Sequence, residues 1–214
     1  NLGFVIMNKY IVYYGAIAIS AYGVGAKLVT LAYIPVTSIG TILATFVGQN
    51  LGANNPERAR KAFHTAMKLS TLFSSALTII GMFAITPFIH IFVPNASIQL
   101  VELTREYALF ALLCGVFMGW YINLNDGVFN GSGHTNYTFI LSMMRLWAFR
   151  IPMILLFHRF THLGITGIWL AMLLSNIFEC ILAQSIYLRH TWEQSTILTE
   201  LGRKQRLEES TEEP

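Results

Sequence analysis

Several stretches of this chain stay apolar for longer than the roughly 20 residues a membrane-spanning helix needs, and no other feature narrows its possible folds as far. A polytopic helical membrane protein is expected. Composition agrees: 54% of the 214 residues are hydrophobic and only 12% charged, against about 25% charged in soluble domains. The formal net charge of +3 is no nucleic-acid signal, because the basic residues gather in two loop regions instead of along one face. Cys114 and Cys180 each sit inside an apolar run and read as buried small residues, without a disulfide framework or metal-ligand spacing around them.

The pattern breaks most sharply at residues 46–60, FVGQNLGANNPERAR, where a long apolar run stops and a basic segment begins. Gly52 suits the left-handed residue that follows a helix, Asn55 can cap the next helix, and Pro56 fits its first position, where a missing N–H costs nothing. One helix is expected to end here and another to start within a few residues. Gln49 and Asn50 are placed to satisfy backbone groups at the end of the first, while Arg58, Arg60 and Lys61 hold the loop against anionic lipid.

Taken in order, helices are expected over about residues 1–14, 17–51, 56–93, 107–131, 137–157 and 165–188, together one lobe over 1–190, followed by a polar tail over 191–214. No cleavable signal peptide is read at the start. The first helix is too short to span and reads as the tail of a helix whose beginning is missing. The second would be about 50 Å long at 1.5 Å per residue, longer than the hydrocarbon core. Pro35 near its middle removes a bond to the Leu31 carbonyl, with Thr37 and Ser38 available to re-satisfy freed groups, so a kink is expected there. In the fourth, Gly115, Gly119, Asn123, Gly127 and Gly131 recur every four residues. This small-residue stripe admits close approach of a neighbouring helix, a substrate-facing groove being the alternative. His134 is expected to be a solvated turn residue.

Lys and Arg set the orientation. Arg58, Arg60, Lys61 and Lys68, with Arg189, Arg203, Lys204 and Arg206, outnumber Arg105 and Arg159 on the opposite side, which puts the loop after the second helix and the C-terminus in the cytoplasm. Walker A, nucleophile-elbow and His-Glu-x-x-His sequences are absent, so neither an enzyme nor an ATP-driven pump is expected. What remains is a set of polar and ionisable groups inside apolar helices: Asn8, Lys9, Lys27, Asp126, Arg145, Arg150 and Glu179. A charge in the bilayer costs on the order of 3 kcal/mol or more, so each should face a partner or water. Lys9 and Lys27 are expected to snorkel to an interface. Arg145 and Glu179 lie at matched depths from one membrane face, counted along helices five and six at the helical rise. They are expected to meet in one buried polar cluster that Asp126 could join. Glu179 then serves either as Arg145's structural partner or as the carrier of a coupling proton.

The motif turn, Gly48, Gln49, Asn50, Leu51, Gly52 and Ala53 followed by Arg58 and Ala59, resembles that of the multidrug and toxic compound extrusion (MATE) transporters. Residues 15–22 look like the segment opening that family's second C-lobe helix, residues 127–135 correspond to its Gly-x-x-Arg-Gly-x-Gly-Asp-Thr pattern, and Arg150-Ile151-Pro152 matches its Arg-Ile-Pro. Asn130 stands where the family usually has Arg, and His134 where it has Asp. The resemblance covers nearly the whole chain. It implies an all-α membrane protein, six transmembrane helices forming the C-terminal lobe of a 12-helix transporter, with the first helix truncated and the N-terminal lobe as its missing partner.

That resemblance further implies a plasma-membrane antiporter without a cofactor, exporting drugs or other amphipathic or cationic organic compounds in exchange for Na⁺ or H⁺. Members that use a carboxylate midway along this lobe's fourth helix would need it near Gly119, where this chain has none, so coupling could instead reside in the other lobe. Pathway residues are then expected among Asn8, Pro35, Asp126, Arg145, Arg150 and Glu179. The alternatives are a flippase of lipid-linked precursors from the same superfamily, which would favour a more cationic cavity, and a six-helix membrane scaffold associating through the glycine stripe.

Overall fold

Long runs of Leu, Ile, Val, Phe and Ala, broken by Gly and Pro at their ends, fold as helices wherever the computed structural model describes the chain. It describes residues 2–193, the side chains of residues 2 and 4 excepted. The expected tail from residue 194 onward lies outside the described residues. In order the helices are α1 (Leu2–Tyr13), α2 (Ala16–Gly52), α3 (Pro56–Phe92), α4 (Ile98–Leu113), α5 (Gly115–Ile122), α6 (Thr135–Met143), α7 (Ile151–Phe160) and α8 (Thr166–Tyr187). A π-helical segment, Asn123–Phe129, continues α5, and a second, Met144–Arg150, joins α6 to α7.

Four spans are long and apolar enough to cross a bilayer: α2, α3, the continuous run Thr135–Phe160, and α8. A fifth is the pair Ile98–Leu113 and Gly115–Phe129, bent by 51°. With 12 residues α1 is shorter than a span. Large exposed apolar side chains such as Phe83, Ile91 and Ile80 line the outer faces. Such a surface suits lipid, because water would charge for every one of them.

The bent span begins at Ile98, earlier than the expected start near residue 107. Ser97 caps it, its hydroxyl accepting from the Leu100 N–H at 3.3 Å. Glu102 and Arg105 point outward while Thr104, Tyr107 and Ala108 face the core, so charges that read as loop belong to one side of a helix. At the bend, the Tyr33 hydroxyl donates to the Ala111 carbonyl (2.8 Å) and the Thr78 hydroxyl to the Leu112 carbonyl (2.9 Å). These are last-turn carbonyls of α4, the groups a helix end leaves short of partners.

The glycine stripe is a packing seam. A Cβ on Gly119 would lie 2.8 Å from Ser74 Oγ of α3, one on Gly127 2.5 Å from Leu43 of α2, and one on Gly131 2.6 Å from the Ala44 carbonyl oxygen. Asn123, within the same stripe, donates to Ser70 Oγ at 2.7 Å. Gly48 of the motif turn meets Gly131 from the other side, where an added Cβ would stand 3.1 Å from its carbonyl oxygen.

The turn after α2 differs from expectation in one residue. Gly52 still belongs to the helix, and the left-handed position is taken by Asn54, φ 55°. Asn tolerates that region, and the Asn55 N–H closes the end by donating to the Asn50 carbonyl at 2.8 Å. Asn55 Oδ1 accepts from the Arg58 N–H at 3.2 Å and Pro56 opens α3, as the capping pattern required. Pro35 leaves α2 unbroken, with Thr37 and Ser38 both donating to the Ile34 carbonyl at 2.9 Å.

Candidate functional site: a cationic, aromatic-walled cavity

Five positions separate Arg145 from Arg150. In an α-helix that spacing would turn them about 140° apart. They instead occupy the π-helical segment Met144–Arg150, whose i→i+5 bonding brings residues five apart to the same face. Both arginines accordingly line one cavity of about 360 Å³, closed on other sides by α2, α4, α5 and α8.

Arg150 is 5% exposed. Its Nε donates to Ser175 Oγ at 3.0 Å and its Nη2 to Asn176 Oδ1 at 2.7 Å. Ser175 passes its own hydrogen to the Met172 carbonyl at 2.9 Å, which fixes its oxygen as an acceptor for the guanidinium. Both partners are neutral, and among the described residues no carboxylate reaches salt-bridge distance of Arg150.

Arg145 is different. Its Nε stands 3.2 Å from Glu179 Oε2, an ion-pair distance with the N–H directed off the line of a hydrogen bond. Its guanidinium carbon sits 5.7 Å from the Tyr121 ring centroid, within cation–π range. Glu179 is 1% exposed, so the pair's negative member is the deeper one.

Aromatic rings form the opposite wall. Tyr22 stacks on Trp169 (6.0 Å, 13°) and meets Tyr107 edge-on (5.2 Å), while Tyr107 and Trp169 pack at 4.9 Å. Trp169 Nε1 is buried without a hydrogen-bond partner among the described residues.

The expected residues do not all converge. Arg145, Arg150 and Glu179 come together. Asp126 accepts from Asn125 Nδ2 at 3.0 Å and makes no ion pair with Arg145 among the described residues. Asn8 and Lys9 are exposed on α1, which packs against α2 and α7, and Lys27 is exposed on α2. Pro35 is half-buried, two residues beyond Tyr33 of the cavity wall. Ser175, Asn176, Tyr22, Tyr107 and Trp169 were not foreseen. The adjacent Ser175 and Asn176, one turn before Glu179 in an otherwise apolar helix, were the readable signal.

A second polar cluster lies at the end where α2 turns into α3. Arg60 donates to both oxygens of Glu193, Nε to Oε1 at 2.8 Å and Nη2 to Oε2 at 2.6 Å, and His190 Nδ1 also contacts Oε1. The Arg60 hydrogen bonds hold the Glu193 carboxyl below the usual carboxylate range. Trp192 beside it is fully buried, stacked on Tyr187. Gln49, Asn50, Arg58 and Lys61 line a separate shallow depression, and Asn50 Nδ2 donates to the Phe46 carbonyl at 2.7 Å. His134 is half-buried rather than solvated: its Nδ1 lies 3.0 Å from Ser132 Oγ and its ring stacks on Tyr137 at 9°. That burial holds its pKa below the usual histidine value.

Compared with known proteins, residues 1–156 match the MatE family model. A probable multidrug resistance protein NorM of Thermotoga maritima is 26% identical over 185 residues, covering 86% of this chain and 39% of that protein. A FAD transporter of Shewanella oneidensis is 26% identical over 160 residues, covering 75% of this chain and 34% of that protein. Among solved structures, an inward-facing multidrug resistance MATE family transporter of the MOP superfamily matches with a TM-score of 0.81 at 16% identity, covering 91% of this chain and 45% of that one. The Vibrio cholerae MATE transporter VcmN in its bent form matches with a TM-score of 0.78 at 20% identity, over 88% of this chain and 42% of that one. The chain spans less than half the length of each, and the structural likenesses speak for the fold alone.

Proposed function

Because the chain belongs to the MATE family of membrane transporters, we propose that it supplies one lobe of an ion-coupled exporter of small amphipathic organic compounds, with a Na⁺ or H⁺ gradient as the driving force. One observation carries this reading: a cavity inside the lobe whose wall combines two arginines with stacked aromatic rings. Buried charge is costly in a membrane protein and marks pathways for polar solutes, while aromatic faces accept the flat apolar part of an amphipathic molecule. The other lobe comes from the rest of a longer polypeptide, and carriers of this design place transport at the interface of two repeats. We place the α2–α3 turn and the C-terminus on the cytoplasmic side, following the basic residues.

The test is export of a lipophilic fluorescent dye from proteoliposomes carrying the natural polypeptide that contains this chain, under Na⁺ and H⁺ gradients imposed separately. Gradient-driven efflux under either ion supports the reading, and efflux unmoved by both sinks it. The cationic wall also favours a second reading, a flippase of lipid-linked anionic precursors. Movement of such a lipid between leaflets with no dye efflux would select it.

A further inference from the structure

We propose that the cavity between α2, α4, α5 and α8 is a binding site for a small aromatic organic anion, its carboxylate or phosphate seated on Arg150 and its ring against Tyr22, Tyr107 and Trp169. As a transport substrate site this rests on the exporter reading above; as a binding site it stands by itself.

Charge comes first. Two guanidinium groups reach the cavity, and the nearby carboxylate, Glu179, pairs with Arg145. Arg150 is left with a hydroxyl and an amide. These orient the fork but do not neutralise it, and a buried arginine without an anion is an expensive arrangement. An anionic ligand supplies the missing charge. A cationic ligand, although aromatic walls attract cations, would here meet two guanidinium groups set against the single Glu179 carboxylate in a poorly screened space.

Hydrogen-bond capacity points the same way. Trp169 Nε1 belongs to a cavity-lining residue and is a buried donor without a hydrogen-bond partner among the described residues. A donor in want of an acceptor matches carboxylate or phosphate oxygens, which only accept.

Size sets the class. At about 30 Å³ per water molecule, 360 Å³ corresponds to about a dozen waters. A one- or two-ring aromatic acid fits that space, whereas an intact dinucleotide does not. Arginine suits the role better than lysine because its planar fork can hold Ser175 and Asn176 on some N–H groups and present others to a two-oxygen acceptor.

The experiment is calorimetric titration of the purified protein in detergent with three probes of one shape: 2-naphthoate, the neutral 2-naphthamide and cationic 2-naphthylmethylammonium. Naphthoate should bind tightest. Arg150→Gln should weaken naphthoate by about tenfold or more, the scale of losing a charged hydrogen bond, and leave naphthamide within about twofold. Trp169→Phe keeps a ring and removes the N–H; it should weaken naphthoate several-fold and naphthamide less. Should Arg150→Gln fail to fold, Trp169→Phe and the ranking of the three probes on the unmodified protein still decide. Equal or tighter binding of the cation, or unchanged naphthoate affinity in a folded Arg150→Gln protein, overturns the proposal. Naphthoate binding together with dye efflux unmoved by either gradient would instead overturn the exporter reading and leave the site standing.

Discussion

Glu179→Gln is the most informative single change in this lobe. It preserves shape and removes one charge from the Arg145–Glu179 pair, whose atoms stand 3.2 Å apart with Glu179 1% exposed. Removing one partner of a fully buried pair costs about 3–5 kcal/mol, because the other charge is left without compensation. Here the orphan would be Arg145, whose side chain is 22% exposed and lies over the Tyr121 ring. That partial exposure and the ring face relieve part of the cost, leaving about 2–3 kcal/mol. At about 2–4 °C per kcal/mol for a chain of this size, melting should fall by roughly 5–10 °C.

Arg145→Met should cost more than Glu179→Gln, since it strands the deeper charge. The double variant should recover much of the loss. Thermal unfolding in detergent of all four proteins measures the coupling, expected to exceed about 1 kcal/mol for groups in direct contact. Additive effects, with Glu179→Gln melting within about 1 °C of the parent, would refute the structural pairing. If that variant also exported at a rate independent of pH, Glu179 would carry the coupling proton.

Four further outcomes follow from the geometry. Gly131→Ala places a methyl group 2.6 Å from the Ala44 carbonyl oxygen, a backbone atom that cannot rotate away, and should cost about 1–3 kcal/mol by thermal melting; Gly52→Ala, where an added Cβ meets nothing within 4 Å, should be tolerated. Trp192→Ala empties a fully buried site in the core and should cost about 3–5 kcal/mol in the same assay. Because the Glu193 carboxyl titrates below its unfolded value, the stability it adds is present above the ordinary carboxylate pKa and is lost as pH falls through its lowered folded value; melting should therefore drop more steeply with acid in the parent than in Glu193→Gln. Pro35→Ala restores a backbone donor in α2 and should slow export without lowering membrane yield, and parental efflux rates in that variant would count against a gating role.

Much of the fold was legible because the membrane imposes a length rule that a residue count can apply. The Asn55 cap and Pro56 start were readable from local chemistry, and the glycine stripe announced its seam by its period. Arg145 and Glu179 could be matched by depth, since every residue of a helix advances by the same rise. Rotation about the helix axis was not legible in the same way. The π-helical segments 123–129 and 144–150 carry no composition that distinguishes them from α-helix, so a face assignment at constant period separates Arg145 from Arg150. The start at Ile98 was hidden for another reason: Glu102, Arg105 and Glu106 resemble loop, and only tertiary contacts, such as the Thr166 hydroxyl donating to Glu106 Oε1 at 2.5 Å, show how a helix accommodates them. Gly52 attracted the left-handed assignment by its type, while Asn54 took it by position.

The π-helical geometry also builds slack into the lobe. A π turn closes its hydrogen bond across five residues where an α turn uses four, so each such segment stores surplus chain within a helix of fixed span. Surplus of this kind works as a gear between length and rotation: passing one residue from the segment into the adjoining α-helix turns that helix by about 100° while advancing it only about 1.5 Å. Arg150 closes the Met144–Arg150 segment and Arg145 stands near its start, so such a step would swing one guanidinium off the cavity wall and leave the other in place. Arg145 and Arg150 therefore share one wall only while the segment keeps its π register; at an α-helical period the same five-residue spacing would turn them about 140° apart.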